Sequence, residues 1–170
     1  MEKNPQLIPD TGFTLLEMII ALAIGAILVT IGVPTLNQFL NSQRTNAQIN
    51  DLITTVREAQ TTALTLSSST LIVPTGGNYA NGWQMGLDTD NDGITIETVM
   101  RVATDASQLT FVINPGTLTF DIRGRTQPTL FSINPVNCSD AQNPRRDINV
   151  ALAGHIDITT CACAAGSPCP

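Results

Sequence analysis

From Phe13 to Val33 the chain reads FTLLEMIIALAIGAILVTIGV, 21 residues carrying a single charge, Glu17. A helix rising ~1.5 Å per residue over that run is about 32 Å long, enough to cross the hydrocarbon core of a bilayer. A cleaved secretion signal fits poorly. Its apolar stretch is about 7–15 residues long and follows a basic segment, whereas MEKNPQLIPDTG sets Lys3 against Glu2 and Asp10. The run therefore predicts a membrane-spanning helix. A carboxylate within a span costs about 2.5–3.5 kcal/mol at mid-bilayer and less near its end, and it usually has a partner. The bland alternative for Glu17 is a tolerated residue at the membrane interface.

Past Pro34 the apolar pattern acquires helical period. Leu36, Phe39 and Leu40, then Ile49, Leu52, Ile53, Val56, Ala59, Ala63 and Leu64, recur at three- and four-residue steps. They form one stripe facing a core, with Arg44, Asp51, Arg57 and Glu58 on other faces. One helix is expected from Phe13 to about Leu66, some 80 Å long. Pro34 removes a donor and loosens it without ending it, and Ser67, Ser68 and Ser69 stop it. From Thr70 onward the pattern becomes short β-rich runs: Leu71–Val73, Gly82–Leu87, Ile94–Val102, Leu109–Ile113, Thr117–Asp121, Thr129–Ile133, Ile148–Leu152 and Ile156–Thr160. Turn formers separate them, among them Thr75-Gly76-Gly77-Asn78, Asn91-Asp92-Gly93 and Asn114-Pro115-Gly116. Hairpin connections make the sheet antiparallel. The expected architecture is α+β: a long helix whose second half packs on one mostly antiparallel sheet.

Acidic residues outnumber basic ones by 14 to 8, a net charge of -6, so the bulk field repels nucleic acid and anionic lipid. With one histidine, no Ser/His/Asp grouping and no phosphate loop, the chain offers no catalytic set and calls for no cofactor. Cys138, Cys161, Cys163 and Cys169 lack the C-x2-C pairs of a zinc site and read as disulfides of an exported domain. In a strand, Cys161 and Cys163 point to one face and cannot easily bond each other. Of the three pairings, Cys138–Cys161 with Cys163–Cys169 is the one expected.

Gly12-Phe13-Thr14-Leu15-Leu16-Glu17, opening an apolar helix, resembles the processing signature of type IV prepilins and pseudopilins. The resemblance implies cleavage between Gly12 and Phe13 by a prepilin peptidase, N-methylation of Phe13 and an assembly role for Glu17. Pro34 matches a helix-loosening proline of that family. The leader departs from the family in not being basic. Gly82-Trp83, Asp88 to Gly93, Glu97 and Arg101, then Leu118 to Arg125, Cys138 and Arg145 to Val150 with Gly154, resemble the GspH/FimT-type minor pilins and pseudopilins.

The implied layout is a leader at 1–12, a membrane and assembly half-helix at 13–33, an amphipathic half-helix at 34–66, and a β-rich periplasmic domain at 67–170. The implied partners are other pilins or pseudopilins through the N-terminal helix, the peptidase and an inner-membrane assembly platform. The implied place is a single pass of the inner membrane, with passage into a type IV pilus or a type II secretion pseudopilus. Two further sites are weighed. Asp88, Asp90 and Asp92 match the first half of a calcium loop, but Val99 stands where a bidentate Glu belongs and Glu97 is out of register. An Asp/Asn/Gly turn explains the same residues without metal. DNA-capturing members carry an arginine-rich turn where this chain has Gly154-His155-Ile156-Asp157. Arg123, Arg125, Arg145 and Arg146 are the remaining candidates for a phosphate-binding patch, against pairing with Asp121, Asp140 and Asp147.

Overall fold

The structure is a computed structural model. It describes residues 13–103, 106–136, 138–139 and 143–163, with the Ile31 and Pro34 side chains left out. Two compact units divide between Phe39 and Leu40.

The first unit is helical. Helix α1 is assigned over Leu15–Leu66 and continues through Pro34, as expected of a proline that loosens a helix without ending it. Two hydroxyls in the apolar run are satisfied locally. Thr30 Oγ1 donates to the Ile27 carbonyl at 2.7 Å, and Thr35 Oγ1 to the Gly32 carbonyl at 3.0 Å. Such back-bonding lets a polar side chain sit in surroundings that offer no water.

In the second unit, the part of α1 from Leu40 onward is followed by eight strands. They are β1 (Ser69–Pro74), β2 (Trp83–Asp88), β3 (Thr98–Ala103), β4 (Leu109–Ile113), β5 (Leu118–Phe120), β6 (Thr129–Pro135), β7 (Arg145–Val150) and β8 (Ile156–Cys161). All pairings are antiparallel. They build two four-stranded sheets, ordered β3-β2-β1-β5 and β4-β6-β7-β8, where the sequence suggested one. The chain changes sheet between β3 and β4, again through Asn114-Pro115-Gly116 to β5, and again before β6.

The helical stripe lines the core as its period predicts. Ile49, Leu52, Ile53, Val56, Ala59 and Ala63 pack with Ile72, Tyr79, Trp83, Met85, Phe120, Phe131, Ile133, Ile148 and Val150. Leu36, Phe39, Leu40 and Leu64, expected on the same stripe, are instead exposed. Trp83, Thr70 and Tyr79 bury polar groups in this core that are paired, as burial demands. Trp83 Nε1 donates to Thr55 Oγ1 at 3.1 Å, and Thr70 Oγ1 to the Ala59 carbonyl at 2.9 Å. Tyr79 donates its hydroxyl to the Ile72 carbonyl at 3.2 Å, and burial pushes that phenol's pKa up. On β3, Arg101 reaches back to α1, bonding Glu58 at 2.7 Å and also Asp51, which lies seven residues earlier on the same helical face.

Two strands start three or more residues from their expected positions. β3 begins at Thr98 rather than Ile94, because the Asp92 carboxylate takes the Ile94 and Thr95 N–H groups at 2.6 and 2.9 Å. Those donors are lost to a ladder. β7 runs Arg145–Val150 rather than Ile148–Leu152, because a turn closes at Ala151, whose N–H meets the His155 carbonyl at 2.8 Å. At Gly86, where the β2–β3 register shifts, a Cβ would collide with the Thr98 carbonyl and the Ile96 side chain. Only glycine fits there.

Candidate functional site

The start of α1 carries the chemistry the sequence singled out. Phe13 and Thr14 precede the first helical residue, Leu15; Gly12 and the rest of the leader lie outside the described residues. Thr14 Oγ1 accepts the Glu17 N–H at 3.2 Å. This is an N-cap, which satisfies one of the four donors a helix leaves open at its start. The Glu17 carboxylate makes no hydrogen bond or ion pair among the described residues and is exposed. Its surroundings are apolar and equally exposed: Phe13 and Leu15 are each 79% accessible, and Leu16, Met18, Ile19 and Ile20 follow. By length and composition α1 is the one helix among the described residues able to cross a membrane. A negative charge within its first turn is favoured by the helix dipole.

Thr14 was missed at the level of sequence, although Thr-x-x-Glu ahead of an apolar run is a readable capping signal. Gln60 was missed as well. From the middle of α1 its Nε2 donates to the Gly124 carbonyl at 3.1 Å and the Ala153 carbonyl at 2.9 Å, tying two turns to the helix.

The acidic turn after β2 is stitched by its own backbone. Asp88 is buried, and its two carboxylate oxygens accept the Asp92 and Gly93 N–H groups at 3.2 and 3.1 Å. Burial holds the Asp88 carboxyl above its ordinary value, with the Gly93 N–H working against that shift. Asp90 also accepts from the Asp92 N–H, at 3.1 Å. Glu97 closes the turn by accepting the Thr89 N–H at 2.6 Å and the Thr95 hydroxyl at 2.9 Å. Backbone donors therefore lower the pKa values of Asp92 and Glu97. Glu97, placed out of register by the loop count, stands with Asp88 and Asp90 in space, their oxygens within 4.8 Å of one another. The hydrogen bonds account for this arrangement as a turn.

The four arginines do not gather. Arg125 pairs with Asp121 at 2.9 Å, and Asp121 also accepts the Arg123 and Arg125 N–H groups, all of which lower its pKa. Arg145 is buried and sits 3.3 Å from Asp147, which accepts the Ser132 hydroxyl at 2.7 Å. Arg145 and Arg146 lie opposite Cys161 and Thr160, at the start of β7. Arg123 and Arg125 lie in the turn that leads to Thr126, whose N–H meets the Leu152 carbonyl beyond the far end of β7. The four remaining residues of β7, at ~3.3 Å each, lie between the two pairs. Asp140 lies outside the described residues. In the turn Gly154-His155-Ile156-Asp157, His155 Nε2 is 3.0 Å from Asp157. An open cleft of about 490 Å³ beside it is lined by Arg57, Gln60, Thr61 and Gly154.

The cysteines correct the expected pairing. Cys138 bonds Cys163, not Cys161, and Cys163 is therefore not available to Cys169. Alternation holds only inside a strand, and β8 ends at Cys161. Cys163 lies in the bend past that end, close to Asn143. Cys161 is buried and is also in a disulfide; Cys169 lies outside the described residues.

The comparisons with known proteins agree with this geometry. The family model for the type II transport protein GspH matches residues 48–154, and that for the prokaryotic N-terminal methylation motif matches residues 10–33. Among solved structures, the fold is similar to the type IV minor pilin FimU of Pseudomonas aeruginosa PAO1 in two crystal forms. In the P21 form the TM-score is 0.58 at 16% identity, covering 74% of this chain and 99% of that one. In the P65 form it is 0.55 at 16% identity, covering 70% and 99%. No curated protein sequence matches the chain. With the first model covering most of the packed half of α1 and strands β1 to β7 into the β7–β8 turn, and the second covering the capped apolar helix start, the chain belongs to the GspH family of type II transport proteins.

Proposed function

We propose that this protein is a minor pilin or pseudopilin, a structural subunit of a type IV pilus or of a type II secretion pseudopilus. The precursor is anchored in the inner membrane by residues 13–33, with the β-rich domain in the periplasm. A prepilin peptidase removes residues 1–12 between Gly12 and Phe13, and Phe13 is then N-methylated. Hydrolysis of that bond leaves a carboxylate on Gly12 and an ammonium on Phe13. The released subunit joins other pilins through its apolar helix.

One observation carries the reading. Glu17 is the single charge in an exposed apolar run, its carboxylate makes no hydrogen bond or ion pair among the described residues, and it stands four residues after Phe13. A lone carboxylate in apolar surroundings needs an opposite charge, and a new ammonium at Phe13 of the same or a neighbouring subunit is the natural one. Such a pair is stronger in an apolar bundle than in water. DNA capture is not favoured, since Arg125 and Arg145 already face carboxylates.

The test is Gly12→Ala in cells with a working processing enzyme. The wild-type protein is expected at the mass of residues 13–170 plus one methyl group, and the variant at full length and absent from filaments. A variant that matures and assembles normally overturns the proposal.

A further inference from the structure

We propose that the cleft between α1 and the β7–β8 turn binds an acidic peptide segment of a neighbouring subunit, with Arg57 anchoring its carboxylate. That a neighbour is present rests on the assembly proposed above.

Arg57 is a cation without a carboxylate of its own. Its guanidinium is exposed and makes no hydrogen bond or ion pair among the described residues. On a helix a charge partner stands three or four residues away, and those positions hold Ile53, Thr54, Gln60 and Thr61. The acids of this stretch of α1, Asp51 and Glu58, are taken by Arg101. In the facing turn, Asp157 is held by His155 at 3.0 Å.

The walls of the cleft are fixed. Gln60 Nε2 spends its two hydrogens on the Gly124 and Ala153 carbonyls. Only an amide nitrogen can face two carbonyls, so Oε1 of the same group is left as an acceptor. It lies beside Gly154, where a Cβ would stand 3.0 Å from it. Thr61 donates its hydroxyl to the Arg57 carbonyl at 2.9 Å and keeps its own lone pairs open. The cleft these groups line holds about 490 Å³, the size of a small-ligand site.

That set of groups selects its ligand. One planar fork of donors matches one carboxylate through two parallel hydrogen bonds. Gln60 Oε1 and Thr61 Oγ1 then call for donors close by. A peptide supplies both, a side-chain carboxylate and backbone N–H groups. A phosphodiester supplies no donor, and a duplex needs a row of cations where this cleft sets one arginine near Asp157. With a net charge of -6, two such domains repel at long range, so contact between them requires local points of opposite sign.

The probe is the free peptide DTDNDGITIE, the sequence of residues 88–97, fluorescein-labelled and titrated by anisotropy with the full chain in detergent micelles. Wild type is expected to bind it. Arg57→Gln is expected to bind about ten-fold more weakly, the loss of a charge-assisted pair at an exposed site, with unchanged Trp83 fluorescence. The same peptide with its acids replaced by their amides is expected not to bind. Absence of binding to wild type overturns the proposal, and so does equal binding by Arg57→Gln. Displacement of the peptide by equimolar inorganic phosphate or a short DNA duplex also overturns it, since the cleft would then be a phosphate site. Gly12→Ala separates the two readings. Peptide binding with normal maturation of that variant sinks the parent reading alone, and lost peptide binding with blocked maturation sinks this one alone.

Discussion

Replacing Gly154 by alanine probes how the two sheets are tied to the helix. Gly154 has φ +77, and a Cβ there would run into the side-chain amide of Gln60. Two losses follow. The left-handed backbone costs an alanine about 1–2 kcal/mol. The Gln60 amide must also swing away from the Gly124 and Ala153 carbonyls, forfeiting two hydrogen bonds at about 1 kcal/mol each. Gly154→Ala is therefore expected to destabilise the protein by about 3–4 kcal/mol. Gln60→Ala alone gives up the same two bonds, about 2 kcal/mol. The double variant removes the obstacle and the bonds together, so its cost stays near that of Gly154→Ala rather than the sum. The coupling is about 2 kcal/mol, large for a double-mutant cycle. Urea unfolding of the four proteins, followed by Trp83 fluorescence, measures it. Additive losses, or a Gly154→Ala variant as stable as wild type, would refute the argument that Gln60 is the clamp.

Glu17→Gln is expected to be processed normally, while its incorporation into filaments falls about ten-fold for loss of the charge partner, measured by immunoblot of sheared filaments. Non-reducing peptide mapping is expected to join Cys138 to Cys163. Removing that bond, which closes a 25-residue separation, should lower stability by about 3.5 kcal/mol in urea. Acid should loosen the turns before the core. Asp92, Asp121 and Glu97 have folded pKa values below their ordinary 3.8, 3.8 and 4.5, so what they contribute is present above those values and lost as pH falls through the depressed ones. Asp88 has the opposite sign, and its protonation relieves a burial penalty over the range just above 3.8. NMR relaxation between pH 6 and pH 2 is expected to show residues 89–97 and 121–125 gaining motion while Phe131 and Ile148 stay ordered.

Much of the fold is legible in the chain because its signals are local. The stripe from Ile49 to Ala63 is buried at the positions its 3.6-residue period marks, and each of the eight β-rich runs overlaps a strand. What the sequence hid depends on distant partners. Nothing near Asn114-Pro115-Gly116 says that β4 joins β6 while β5 joins β1, so two sheets read as one. Asp92 looks like a turn residue, but that its carboxylate removes Ile94 and Thr95 from the ladder is visible only in space. Pairing of Arg145 with Asp147 is a reading the sequence offers, but the burial of Arg145 and the Ser132 hydroxyl on the same carboxylate are visible only in space. The cysteine argument failed for a local reason, since the strand rule was extended two residues beyond the strand.

On the function proposed above, the bare apolar surface of Leu15 to Val33 also says where direction in assembly would come from. Lipid tails are as oily as leucine, so moving this helix from bilayer to bundle changes its greasy contacts very little. The journey is nearly level in hydrophobic terms. Whatever tilts it must be short-ranged and polar, and the stretch supplies a lone candidate. A neutral residue at position 17 would leave a helix equally content to remain dissolved in the membrane.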